Sequence, residues 1–172
     1  TSEYAKSDTI IILFIDAMAI LNEQFLLPYQ ISDQERKQWA DNKLNELVSL
    51  INRIRENISS KILLHNFEVP LHSPLGIFEN KQKFGFVESV EILNAKLREA
   101  FKNDTQTFVF DYNSFCSKIG KQNMIDYKLY YLGDIKINLQ HIPKLCEEYL
   151  PYIKPLVSLI KKCIVLDLDN TL

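Results

Sequence analysis

Apolar residues recur along this chain in two rhythms, and the alternation between them predicts the architecture. Four short continuous runs are rich in β-branched residues: Thr9 to Ile15, Lys61 to His65, Thr107 to Phe110 and Cys163 to Leu166. Unbroken apolar runs of this length predict strands covered on both faces, because a strand with one wet face alternates apolar and polar residues. Between the first two runs, Ala40, Leu44, Leu47, Val48, Ile51, Ile54 and Ile58 recur at helical spacing. They follow Ser32-Asp33-Gln34-Glu35, a serine and a glutamate placed to satisfy each other's orphan N–H groups in a first helical turn. Phe86, Val90, Leu93, Leu97, Ala100 and Phe101 repeat the helical pattern before the third run, and Asn103-Asp104 closes it in a polar turn.

Strands alternating with helices predict a parallel sheet with right-handed crossovers and helices on both faces, a three-layer doubly wound α/β domain. A last helical region begins near Asn138, with Ile142, Leu145, Cys146, Tyr149 and Ile153 on one face. Pro151 and Pro155 are expected to bend or interrupt it and to mark a boundary. The chain therefore divides into an α/β domain over 1–150, a helical linker over 151–161, and the start of a second domain at 162–172. Thr1-Ser2-Glu3-Tyr4 carries no initiator Met and runs within a few residues into a strand, so the sequence is expected to begin inside a longer protein.

Composition narrows the partners. The 172 residues are 47% hydrophobic, enough apolar surface for a sizeable core. Twenty Lys+Arg against 22 Asp+Glu leave no broad basic field, which argues against nucleic acid and against an anionic membrane surface. The longest apolar run, Ile10 to Ile15, has the length of a buried strand, far short of the roughly 20 residues of a membrane span. Cys116, Cys146 and Cys163 are odd in number and form no CxxC pair, so free buried thiols in a reducing, cytoplasmic compartment are expected.

The strongest chemical signal is the fourth strand, which runs directly into Asp167-Leu168-Asp169-Asn170-Thr171. Ligands of α/β proteins gather at the carboxyl ends of parallel strands, and two carboxylates one residue apart can share a hard cation such as Mg²⁺. The plainer alternative is a strand ending in a polar turn, with Thr171 as an incidental cap. The joint pattern of apolar strand, two spaced aspartates and a following threonine favours the chemical reading.

That pattern resembles the first motif of the haloacid-dehalogenase (HAD) superfamily. The resemblance implies that Asp167 is the nucleophile that becomes an aspartyl-phosphate, and that Asp169 is the general acid/base. It also implies Mg²⁺ held by Asp167 and by Asp169 through its backbone carbonyl, with Thr171 orienting the phosphate. The strand Ile10 to Asp16, the segment from Leu64 to Gly76 with its His65-Asn66-Phe67-Glu68-Val69-Pro70 stretch, and Lys162 to Leu172 together resemble FkbH-like proteins of HAD subfamily IIIC. Such proteins join an SGNH-hydrolase-like (flavodoxin-like) domain to a Rossmann-like HAD domain. The resemblance therefore implies a phosphorylated small molecule or acyl-phosphate as substrate, an acyl carrier protein as acceptor, and a fragment that is inactive by itself. An SGNH-type first strand would lie upstream of Thr1.

His65, Asn66, Glu68 and His72 follow the second strand, where a substrate contact, through His65 and Asn66, or a metal site could form. Equally, His65 could be a strand-end residue held by a hydrogen bond, and His72-Ser73-Pro74 a turn. An SGNH esterase also needs Asp-x-x-His near its end. This chain has Asp134-Ile135-Lys136-Ile137 there, with an apolar residue at the base position, and His141 falls at a helix start where capping or packing is expected. Two functions from different classes follow: a HAD-type enzyme acting through Asp167 and Asp169, and a non-catalytic SGNH-like binding module that docks a carrier protein or substrate.

Overall fold

A computed structural model describes residues 9–17, 19–20 and 30–159. Three strands form a parallel sheet in the order β1 (Ile10–Leu13), β2 (Lys61–His65) and β3 (Thr107–Phe110). Ile12 pairs with Leu63, and Leu63 with Phe108, so the register is continuous across the sheet. Side chains alternate faces along a strand, and here both faces are apolar. Ile62 and Leu64 of β2 enter one cluster, and Leu63 enters the other.

Helix α1 (Asp33–Asn57) starts where the sequence predicts. The Ser32 hydroxyl accepts from the Glu35 N–H at 3.3 Å, and the Glu35 carboxylate accepts from the Ser32 N–H at 2.8 Å. Those Ser32 hydrogen bonds hold the Glu35 carboxyl below its ordinary range. Helix α2 (Phe86–Phe101) packs on α1, burying Val90, Leu93 and Leu97 against Ala40, Leu47 and Ile51. The α2–β3 turn is polar as predicted. Asp104 Oδ1 accepts from the N–H groups of Gln106 and Thr107, each at 2.8 Å, and pairs with Arg55 at 2.5 Å.

Both crossover helices lie on the same face, a consequence of topology. Right-handed crossovers that add strands in one direction must pack their helices on one side. The expected doubly wound arrangement needs the strand order to reverse, and the three described strands show no reversal. The second face is covered instead by elements that follow β3: α3 (Tyr112–Ile119), α4 (Tyr127–Gly133) and α5 (Ile142–Leu156) come after it in the chain, and α3 and α5 bring Tyr112, Phe115, Cys116 and Leu145 onto Leu63 and Phe110. Helices α3 and α4 have 8 and 7 residues, too short for a helical period to show in the sequence. Each is announced only by its cap: Asp111 accepts from Ser114, and Asp126 from Lys128 and Leu129.

Two details of α5 correct the sequence reading. The helix runs through Pro151 and takes Pro155 into its last turn, so the prolines do not interrupt it. The prolines are four residues apart and both exposed, so they share the outer face, where water can hydrate the carbonyls that lose their donors. Its packed stripe is Leu145, Tyr149 and Tyr152, whereas Cys146 is exposed. The expectation of buried thiols holds for Cys116, fails for Cys146, and for Cys163 lies outside the described residues.

Candidate functional site

The carboxyl edge of the sheet gathers the chain's polar side chains. Asp16 follows β1, Asn66 and Glu68 follow β2, and Asp111 and Asn113 follow β3. A lattice of hydrogen bonds ties the ends of β2 and β3 together. Asn66 Nδ2 donates to Asp111 Oδ1 at 2.8 Å, and Asn66 Oδ1 accepts from the Asn113 N–H at 2.9 Å. The Asn113 side chain accepts from the Val69 N–H at 2.9 Å. Burial opposes ionisation of Asp111, but hydrogen bonds from Ser114 and Asn66 outweigh it and hold the carboxyl below the usual range. Further in, Asn94 of α2 clamps the loop leaving β2. Its amide accepts from the Phe67 N–H at 2.9 Å and donates to the Phe67 carbonyl at 2.7 Å.

His65 is 1% exposed and sits under this edge rather than in it. Its ring lies 5.1 Å from that of Tyr112 in a stacked arrangement and 4.8 Å from Phe110, with Phe14 edge-on. Nε2 shares a 2.8 Å hydrogen bond with the Tyr149 hydroxyl, which pins α5 over β2, and Nδ1 is buried without a hydrogen-bond partner among the described residues. Burial lowers the His65 pKa to about 4. Above about pH 6.5 the imidazole is neutral in both folded and unfolded chains. Between pH 6.5 and 4 the unfolded chain takes up a proton that the folded one refuses, so stability falls across this window and levels off below it. The expected loss is about 3 kcal/mol. Urea denaturation at several pH values should show it, and His65→Gln should flatten that part of the curve; parallel pH profiles for the two proteins would refute the assignment.

Above the lattice lies a cleft of about 410 Å³. Asp16, Glu68, His72, Lys121, Gln122 and Tyr127 are its polar lining, and Leu71, Pro74, Phe86 and Ile125 are among its apolar walls. A smaller adjoining pocket of about 30 Å³ shares Asp16 and Glu68 and adds Asn66, Tyr112 and Lys136. Asn66 thus borders the site, whereas His65 lines neither space. Burial pushes the Glu68 carboxyl above its usual range; Lys121 and a hydrogen bond with Cys116 offset part of this, and Asp16 adds to it. Burial also pushes the Cys116 thiol up to about 12, with the nearby Glu68 contributing, so it stays protonated and is no nucleophile.

Lys136 Nζ stands 3.4 Å from Asp16 Oδ2, 2.5 Å from Asp134 Oδ1 and 4.6 Å from the Tyr130 ring centre. Ile137 packs against the second core cluster. His141 stands at the start of α5, its Nε2 3.2 Å from Gln140 Nε2. Asp16, Lys121 and Lys136 were not singled out from the sequence. Asp16 was within reach of the strand-end rule that drew attention to Asp167, but the lysines come from irregular segments that only the fold brings near the edge. Asp167, Asp169 and Thr171 lie outside the described residues. Among the described residues no group of three or more His, Cys, Asp or Glu side chains could hold a metal, and no helix is long and apolar enough to cross a membrane.

A parallel α/β domain with its polar groups at the carboxyl edge of the sheet is the class these features define. Residues 1–154 match the family described as FkbH, N-terminal domain, and the chain belongs to that family. No curated protein matches it. Its fold is similar to the crystal structure of the N-terminal part of protein BF1531 from Bacteroides fragilis, described as containing a phosphatase domain complexed with Mg. The TM-score is 0.73 at 20% identity, and the match covers 94% of this chain and 41% of that one. The chain therefore spans less than half the length of that neighbour.

Proposed function

We propose that residues 1–150 form a non-catalytic, SGNH-like binding module of an FkbH-like HAD-family enzyme, whose phosphoryl or acyl-phosphate chemistry runs through Asp167 and Asp169. The observation that carries the first part is the occupation of the esterase position. Ile137 is committed to the core and Lys136 to an ion pair with Asp16, so the segment that would bring a base to the edge brings a cation and a methyl group. General-base catalysis needs a proton acceptor within hydrogen-bond reach, and neither residue is one.

The second part is supported by family membership and by the likeness to a protein described as containing a phosphatase domain with Mg. The Asp167 carboxylate and the Asp169 backbone carbonyl are hard oxygen donors of the kind Mg²⁺ prefers, and when bound the ion would neutralise charge on a phosphoryl group. Asp167 would attack phosphorus, Asp169 would protonate the leaving group, and Thr171 would orient the phosphate. A phosphorylated small molecule or acyl-phosphate is the substrate class this implies, with an acyl carrier protein as acceptor docked by the module, in the cytoplasm.

The module reading is tested with an aryl acetate and the complete protein carrying Asp167→Asn, which silences the phosphoryl site. No hydrolysis above the buffer rate is expected. Ester turnover that disappears on His141→Ala would show a working esterase and end the reading.

A further inference from the structure

We infer that an outer apolar stripe of α5 seats the domain that begins at residue 162. The inference rests on the reading of residues 162–172 as the start of a HAD-type domain. Helix α5 is apolar over more of its circumference than the core covers. At about 100° per residue, the packed positions Leu145, Tyr149 and Tyr152 fall within about 60° of arc. Ile142, Cys146, Leu150, Ile153 and Val157 fill about the next 80° beside them, and Lys144, Glu147 and Lys154 keep to the remainder. In this second stripe Ile153 is partly buried, whereas Ile142, Cys146, Leu150 and Val157 are exposed, Leu150 to 45%. A helix lying on one surface needs an apolar stripe of about 100°, so a sector of about 160° calls for two surfaces.

The α/β domain supplies the first of these. On the flank beyond Tyr152, Glu148 Oε2 pairs with Lys118 of α3 at 3.0 Å, so α3 lies on that side and the exposed stripe on the other. The tether decides what covers the stripe. Val157 is five residues from residue 162, a reach of at most about 18 Å, and the stripe from Ile142 to Val157 is about 22 Å long. A domain starting there is held beside the stripe at a high effective concentration, which neither a carrier protein nor a second copy of the chain enjoys. An apolar strip bordered by Glu147 and Lys154 also has the mixed character of a seam between domains of one chain.

Cys146 lies within the stripe and reports on its cover. Its labelling by iodoacetamide is followed in the 172-residue chain and in the complete protein, with peptide mass spectrometry to separate it from Cys116 and Cys163. Labelling is expected to be at least about tenfold slower in the complete protein, because a covered thiol reacts only when the domains part. Leu150→Glu, one helical turn from Cys146, should restore most of the rate in the complete protein, since an unpaired carboxylate resists burial. The added negative charge by itself makes the thiolate scarcer and slows the reaction, so acceleration reports uncovering. Ile77→Glu, at a site 86% exposed and outside α5, should change nothing. Equal rates in the chain and the complete protein overturn the inference. So does protection that appears only on adding an acyl carrier protein, that grows with the concentration of the 172-residue chain, or that is indifferent to Leu150→Glu. A complete protein without Asp167-dependent turnover would remove the HAD reading itself. Fast Cys146 labelling in a protein that does turn over through Asp167 would remove the docking alone, so the two failures are distinct.

Discussion

Replacing Asp167 with asparagine in the complete protein is expected to abolish phosphate release or acyl transfer, whereas Asp169→Asn should leave a measurable remnant. An amide at position 167 cannot form an acyl-phosphate with the substrate, and it also withdraws an anionic donor from the expected Mg²⁺ site. A fall on the order of 10⁴–10⁶-fold follows, the scale seen when a covalent nucleophile is removed. At position 169 the backbone carbonyl survives the change, and what disappears is proton transfer to the leaving group, worth about 10²–10⁴-fold. The size of that second loss should depend on the substrate. An acyl-phosphate expels a carboxylate, a weak base that needs little protonation, so it should suffer less than an alkyl phosphate, which expels an alkoxide. Rates for both variants on both substrates, with folding checked by circular dichroism, make the comparison. Near-normal turnover by Asp167→Asn would end the assignment of the nucleophile.

Asn94→Leu is expected to be among the most destabilising single changes in the α/β domain, at about 4 kcal/mol. Asn94 is 8% exposed, and its amide is the partner of both the N–H and the carbonyl of Phe67, itself 2% exposed. Leucine has similar volume and fills the space, but it leaves two buried backbone groups unpaired, each costing about 1–3 kcal/mol. Asn94→Asp keeps the acceptor and loses the donor, so its cost should fall between those of wild type and leucine at neutral pH. Urea unfolding of the three proteins gives the order, and a leucine variant within about 1 kcal/mol of wild type would contradict it. Phe67 is where the chain leaves β2 for Glu68, so the same clamp fixes one wall of the cleft. Amide exchange at Phe67 and Glu68 should therefore accelerate in the leucine variant even where the core strands stay protected.

Local chemistry was enough to read the parallel α/β class, both crossover helices and the start of α1, because each is dictated within a short window. An unbroken run of β-branched residues suits a strand buried on both faces, and Ser32 and Glu35 complete their capping box three residues apart. The strand-end positions of His65 and Asn66 were legible in the same way. Their surroundings were not. Whether His65 faced solvent or the interior depended on α5 arriving 84 residues later to place Tyr149 against it, and nothing near residue 65 encodes that arrival. The placing of α1 and α2 on a single face likewise followed from the order in which strands join the sheet, which no helical period reports. The cleft is decided most completely by tertiary structure. Asp16, Glu68, Lys121 and Lys136 belong to segments without a shared motif, and they meet only because parallel strands end at one edge and the chain after β3 folds back over it.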